Sequence, residues 1–384
     1  MADIISNFPN DILCYILSFL PSQQVVATSV LSKRWNLLWR SVHSFDFDFG
    51  YHGRSIDTYE VDYYRFLFSM SSFLVWRDRN QPLHRFRLRC RSIFHSTSTC
   101  ADIFNNFTSK SIKTAVSGFG RVQHIDLNLD SQMVMPSVVF TCKTLVVLRL
   151  AHITLSEISF VDLPSLKILH FDFVTVSEDL NLSQLLSGCP NLEDLEVKNM
   201  VCESKGTFVR LPKLVRASID EHLLPLETVK NVEVLFIDWV MPPICPRNLD
   251  IDFLNLVELQ LIVRFREDWP GVLRVLKHCP KLQTLVICIN KINPELFVAS
   301  YKEEDVRPYQ QSVSACISSH LKSCCLKGYS GSVDEFQFAR YVMENAKYLR
   351  TMKICIFGGK INMIRELFSF IKRSDICTLS FGYG

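Results

Sequence analysis

The sequence predicts an α/β protein: a small unit of three short helices, then an irregular solenoid of strand-and-arm repeats, then a C-terminal cap. Apolar stripes at helical spacing fill the first fifty residues. An apolar triplet of the form L-x-x-L-x-L returns again and again through the middle of the chain. With 48% hydrophobic and 21% charged residues among 384, and only 13 Gly and 15 Pro, the chain has the apolar content to pack over most of its length.

Pro9 suits the first turn of a helix, and Ile12, Leu13, Ile16, Leu17 and Leu20 lay an apolar stripe along it until Pro21 stops it. Ser22 is placed to cap a second helix carrying Val25, Val26, Ser29 and Val30. Ser32 is placed to cap a third with Trp35, Leu38, Trp39 and Val42 on one face. So small a unit has more apolar surface than it can bury alone, and two Trp within five residues are anchors of the kind that interfaces favour. Periodicity leaves two destinations open for the excess: the next domain of the same chain, or a partner.

The run Ile5-Ser6-Asn7-Phe8-Pro9-Asn10-Asp11-Ile12-Leu13-Cys14-Tyr15-Ile16-Leu17-Ser18-Phe19-Leu20-Pro21, then Thr28-Ser29-Val30-Leu31-Ser32-Lys33-Arg34-Trp35 with Leu38-Trp39, resembles the plant F-box signature in register. The resemblance implies binding to a Skp-type adaptor and, through it, to a cullin and a RING subunit. By position it implies adaptor contacts at Phe8, Pro9, Ile12, Leu13, Ile16, Leu17, Leu20, Val30, Leu31, Trp35 and Trp39. The family usually has Leu before the first proline; Phe8 keeps an apolar anchor there and adds bulk.

The clearest triplets are Leu145/Leu148/Leu150, Leu166/Leu169/Phe171, Leu192/Leu195/Val197, Leu256/Leu259/Leu261 and Leu282/Leu285/Ile287, with weaker ones at Leu214/Ala217/Ile219 and Val232/Leu235/Ile237. Successive first positions are 21, 26, 22, 18, 24 and 26 residues apart, which brackets one leucine-rich repeat. Pro164, Pro190, Pro212 and Pro280 stand just ahead of four copies, where a residue without an amide proton marks a strand entrance. Leu185 to Pro190 and Val275 to Pro280 each read as a helix end, a turn and the next strand, so a repeat is a strand plus a return arm. Val122/Ile125/Leu127 and Leu83/Phe86/Leu88 fit the template loosely and extend the array upstream.

Side chains between the buried leucines alternate onto the opposite sheet face. Arg149, His170, Glu196, Ser218, Phe236 and Gln260 are the candidates there, and their mixed charge suits a protein epitope. His84-Arg85-Phe86-Arg87-Leu88-Arg89-Cys90-Arg91 puts four arginines on one face of a strand. They are either a patch for phosphate or an acidic partner, or charge that protects an edge strand from unwanted pairing.

Residues 301–312 are polar and aperiodic and read as a loop before the last block. There Ser332 and Glu335 form a capping box ahead of Phe336, Ala339, Met343 and Ala346, Leu349/Met352/Ile354 returns to the strand template, and Ile364, Leu367, Phe368 and Ile371 mark a final helix. The block from Leu321 through Gly328-Tyr329-Ser330-Gly331 to Ile376-Cys377-Thr378-Leu379-Ser380-Phe381 resembles the FBD domain that follows leucine-rich repeats in plant F-box proteins. Physically it caps an open stack. The expected boundaries are an F-box over 1–50, leucine-rich repeats over 51–300 with the clearest copies in 145–290, and an FBD over 313–384.

A formal charge of +3 from 42 basic and 39 acidic residues is too small for the basic field of a nucleic-acid binder. Asp3 near the start and the short apolar segment Ile12 to Leu20 point to neither secretion nor membrane insertion, hence to the cytoplasm and/or the nucleus. Fourteen Cys without a C-x-x-C pair sit mostly in apolar runs and read as reduced core thiols. No G-x-S-x-G, H-E-x-x-H or phosphate-loop motif occurs, and no cofactor or metal is implied. The expected activity is non-catalytic: substrate recognition in a Skp-cullin-F-box (SCF) ubiquitin ligase, with an unidentified protein target. The competing reading is a leucine-rich scaffold or small-ligand receptor without ubiquitin transfer.

Overall fold

The computed structural model describes residues 5–50, 56–90, 98–118, 121–129, 133–156, 158–177, 181–200, 207–220, 222–238, 251–263, 269–290, 313–356 and 373–383. These fall into two compact units, residues 1–213 and 214–384.

The first unit opens with α1 (Asn10–Leu17) and α2 (Ser22–Ala27), followed by 3-10 stretches at Thr28–Val30 and Trp35–Ser41. The third predicted helix is therefore a 3-10 stretch. Pro9 occupies the N-cap position of α1, and Ser22 is not a cap; its hydroxyl accepts the backbone N–H of Asp46 at 2.8 Å, tying α2 to the first strand.

That strand, β1 (Ser44–Phe49), follows the last of the three predicted helices and lies within the 1–50 stretch assigned to the helical unit. It pairs in parallel with β2 (Arg85–Cys90), and the ladder continues through β3 (His124–Asn128), β4 (Val147–Ala151), β6 (Ile168–Asp172) and β8 (Asp194–Lys198). Two short strands, β5 (Thr154–Leu155) and β7 (Thr175–Val176), pair beside it. Strict register stacks Phe45, Phe86, Ile125, Leu148, Leu169 and Leu195 in one buried row. Phe47, Leu88, Leu127, Leu150, Phe171 and Val197 form a second. Each such side chain contributes roughly 1.5–3 kcal/mol by leaving water.

The arms vary in length. β1 and β2 are joined by α3 (Ile56–Trp76), and β2 and β3 by α4 (Ser98–Gly118), both longer than the repeat spacing suggests. Tyr63, Phe66, Met70 and Phe73 form the buried stripe of α3, at the three- and four-residue spacing of one helical face. The arm before β8 shortens to α5 (Leu182–Ser187), capped by the Asn181 side chain.

The second unit repeats the plan with β9 (Arg216–Asp220), β10 (Val234–Asp238), β11 (Glu258–Val263), β12 (Thr284–Ile289), β13 (Ser323–Tyr329), β14 (Thr351–Ile356) and β15 (Thr378–Tyr383), all parallel. Its arms include α6 (Trp269–Lys277), α7 (Ala315–Ser319) and α8 (Val333–Asn345), and the Trp269 and Phe338 rings stack at 4.6 Å between α6 and α8. The expected capping box is present: Ser332 Oγ accepts the Glu335 N–H. The buried Glu335 carboxylate gathers the N–H groups of Ser330, Gly331 and Ser332. The expected loop over 301–312 and the helix expected around Ile364–Ile371 lie outside the described residues.

At Gly188, the C-cap of α5, a β-carbon would overlap the carbonyl oxygen and side chain of Val161, while its φ of −79° is ordinary backbone. Gly188→Ala is expected to destabilise the chain by about 1–3 kcal/mol through steric overlap alone. A urea titration should show an earlier midpoint with an unchanged slope.

Candidate functional site

Helix α1 is apolar on two faces. Leu13, Cys14 and Leu17 point inward and pack with Val25, Trp35, Leu38 and Val42, with Leu20 and Trp39 half-buried against that cluster. Ile12, Tyr15, Ile16 and Phe19 form a second stripe three and four residues apart that faces solvent, where the Tyr15 and Phe19 rings meet edge to face at 5.0 Å. Beside it Val30 is 85% and Leu31 65% exposed, and Phe8 and Pro9 are exposed as well. Arg34 holds the entry to α1 by donating to the Phe8 carbonyl and, at 3.2 Å, to the Asn10 side chain.

The residues expected to touch an adaptor thus divide. Phe8, Pro9, Ile12, Ile16, Val30 and Leu31 are at the surface. Leu13, Leu17 and Trp35 are core side chains of the helical unit, because its own helices close over them. Ile5, Tyr15, Phe19 and Leu37 are further exposed apolar neighbours; the spacing of Ile12, Tyr15 and Phe19 signals two of them, and nothing in the local pattern signals Ile5 or Leu37.

Part of the apolar excess goes to the next domain of the same chain. Trp39 docks on Phe73 of α3 with centroids 5.6 Å apart, and Arg40 Nε donates to the Trp76 carbonyl at 2.6 Å. The buried Arg77 guanidinium clasps the joint, donating to the carbonyls of Val42, of Gln81 at 3.1 Å and of Pro82 at 2.5 Å. Burial pulls its pKa down to about 10, still high enough to keep it cationic at neutral pH.

On the polar face of the first unit's sheet, Arg149, His170 and Glu196 are register neighbours on β4, β6 and β8. Arg149 Nε donates to His170 Nδ1 at 3.3 Å, and the Glu196 carboxylate pairs with Lys198 at 2.9 Å. The same row continues through Asp126, Arg87 and Asp46. Arg87 reaches Asp46 at 3.2 Å and Asp126 at 3.7 Å, Arg85 reaches Asp46 at 3.9 Å, and Arg89 reaches Asp126 at 3.4 Å. β2 therefore lies between two paired strands and is no edge. Three of its arginines are balanced by carboxylates from both sides, and Arg91 is outside the described residues.

Just past the ends of β4, β6 and β8, His152, Phe173 and Asn199 take positive φ near 50°, a strained setting for side-chain-bearing residues. The His152 and Phe173 rings stack there at 4.9 Å. In the second unit Ser218, Phe236 and Gln260 are register neighbours on β9, β10 and β11. Ser218, expected on an open face, is 2% exposed: it is short, and Arg216 lies over the Phe236 ring beside it at 4.7 Å.

Among the described residues no group of three or more His, Cys, Asp or Glu converges at metal-binding distance, and no helix is long and apolar enough to cross a membrane. Burial pushes the thiols of Cys316 to about 11 and Cys189 to about 12, and those of Cys279 and Cys324 higher. A thiolate nucleophile is correspondingly scarce at these positions. Iodoacetamide at about pH 8 should leave these four unlabelled until the chain unfolds, while half-buried Cys288 and Cys325 react, as mass spectrometry would show.

Parallel strand repeats headed by a helical unit with an open apolar face define an α/β leucine-rich-repeat protein. Family models match as the F-box domain over residues 5–47, the leucine-rich repeats of "FBD-associated F-box protein At5g56370" over 115–224, and FBD over 309–354. From Arabidopsis thaliana, F-box/FBD/LRR-repeat protein At4g26340 is 29% identical, the match covering 99% of this chain and 100% of that protein. FBD-associated F-box protein At5g38590 is 30% identical over 95% of this chain and 98% of its own length. F-box/LRR-repeat protein At4g14103 is 31% identical over 68% of each. The chain belongs to the F-box family with leucine-rich repeats and an FBD. Members of the F-box family generally act in SCF ubiquitin ligases.

Proposed function

We propose that this chain is the substrate-recognition subunit of an SCF-type ubiquitin ligase, itself non-catalytic and working in the cytoplasm and/or the nucleus. One observation carries the reading: the helical unit fills its own core yet keeps Phe8, Ile12, Ile16, Val30 and Leu31 in solvent. A Skp-type adaptor, followed by cullin and RING subunits, would cover that face. Tyr15 and Phe19 add aromatic anchor chemistry to it.

The charged row Arg149, His170 and Glu196 is the surface for a protein target. It belongs to the same compact unit as the helical face, and the Arg77 clasp and the Trp39–Phe73 contact hold the two together. A target held at fixed distance from the ligase core gains effective concentration near the charged ubiquitin carrier.

The surface variants Ile16→Asp and Val30→Asp are the direct test. Each is expected to weaken co-purification of a Skp-type adaptor by about 2 kcal/mol or more while leaving thermal unfolding unchanged. Leu17→Asp is a poorer probe, since it places a charge in the unit's core and should unfold it. Adaptor capture unaffected by both surface variants contradicts the assignment; adaptor capture without any cullin favours a scaffold.

A further inference from the structure

A groove of about 260 Å³ opens at the strand-entry edge of the second unit, apart from the surfaces described above. It is built by repetition. Gln283, Lys322 and Arg350 each stand one residue before the in-register strands β12, β13 and β14. Backbone hydrogen bonds run along the row, Lys322 N–H to the Gln283 carbonyl at 2.8 Å and Arg350 N–H to the Lys322 carbonyl at 2.7 Å. Three side chains are thereby delivered to one edge about 4.8 Å apart. His320, at the C-cap of α7, Tyr348, after α8, and Ile376, before β15, complete the walls.

Among the described residues the lining holds an ammonium, a guanidinium and an imidazole, and no carboxylate. Lys322 Nζ donates to Gln283 Oε1 at 2.8 Å, and among the described residues the Arg350 guanidinium has no acceptor or counter-charge. Arg87, by contrast, is matched by Asp46 and Asp126, and Arg340 by Glu344 at 2.7 Å. Tyr348 and Ile376, 49% and 67% exposed, stand at the same opening with apolar surface uncovered. Lys347, 5.4 Å from the Tyr348 ring, adds another positive charge beside it.

We propose that this groove binds a phosphate monoester carried on an apolar or aromatic stem. A dianion with three acceptor oxygens uses the guanidinium fork, the ammonium and the imidazole N–H together, where a single carboxylate would satisfy fewer of them. The Tyr348 ring and Ile376 would cover the stem. The volume is just under that of ordinary small-molecule sites and suits one phosphorylated side chain or a small phosphoester. His320, Lys322, Tyr348 and Arg350 all fall within the FBD-matched stretch, so the site would give that segment a ligand-binding role independent of ubiquitin transfer.

The test is calorimetric titration of the full chain with phenyl phosphate, inorganic phosphate and benzoate. Phenyl phosphate should bind saturably and more tightly than the other two. Arg350→Ala and Lys322→Ala should each weaken it about tenfold, as expected for loss of a charge-assisted contact. Tyr348→Ala should weaken phenyl phosphate and leave inorganic phosphate unchanged, and Arg340→Ala, outside the groove, should change nothing. A phosphotyrosine peptide flanked by alanines separates the sources: binding tighter than phenyl phosphate assigns the ligand to a protein partner, and equal or weaker binding to a small phosphoester. No saturation by any phosphate probe up to about 10 mM, benzoate matching phenyl phosphate, or Arg350→Ala and Lys322→Ala binding like the parent would each overturn the proposal.

Discussion

The structure depends on in-register parallel pairing that sends alternate side chains of every strand to one buried face. Leu148 has Ile125 on one side and Leu169 on the other, and each of these is in turn bracketed by its own register neighbours. A one-residue slip would turn such a row to solvent and bring Arg149 and His170 inside, which the cost of burying charge forbids. No strand covers its own apolar face, so each repeat is stable only as a neighbour of others. The arms differ because this constraint acts on the strands alone: α3, α5 and the 3-10 stretch Ser137–Thr141 are different answers to closing the same layer.

What this constraint governs was readable in advance. The last two positions of each triplet from Leu145 to Ile287 lie on a strand, two residues apart as the pleat requires, with the first just ahead of it, and the Ser332–Glu335 capping box was readable because it is local chemistry. β1 was hidden: Ser44-Phe45-Asp46-Phe47-Asp48-Phe49 alternates with period two but follows directly on a helical stretch, and its aspartates suggest a surface loop. On α1 the two apolar stripes interleave, and spacing alone does not say which one meets Val25 and Leu38. The row of Asp46, Arg87 and Asp126 across three strands came from register, which no single segment contains. The burial of Ser218 came from the size of its neighbours.

The helical unit obeys the same economics with a different outcome. It is too short to enclose all its apolar side chains, so part of the surplus is spent on α3 through Trp39, and the rest remains on α1 and at Val30–Leu31. Arg77 reinforces the first of these contacts, because a guanidinium can satisfy several buried carbonyls at once where an apolar side chain would leave them orphaned. An open apolar face and a charged row on the sheet are then set in one frame. That arrangement is what a proximity mechanism requires.

On the proposed reading, the open face of α1 and Val30–Leu31 is apolar surface that a Skp-type adaptor covers. Its most direct test is the heat capacity of association between the full chain and a purified Skp-type adaptor, from calorimetry at several temperatures. The expected change is clearly negative, the signature of apolar burial. Association with a change near zero, or no association at all, would contradict it.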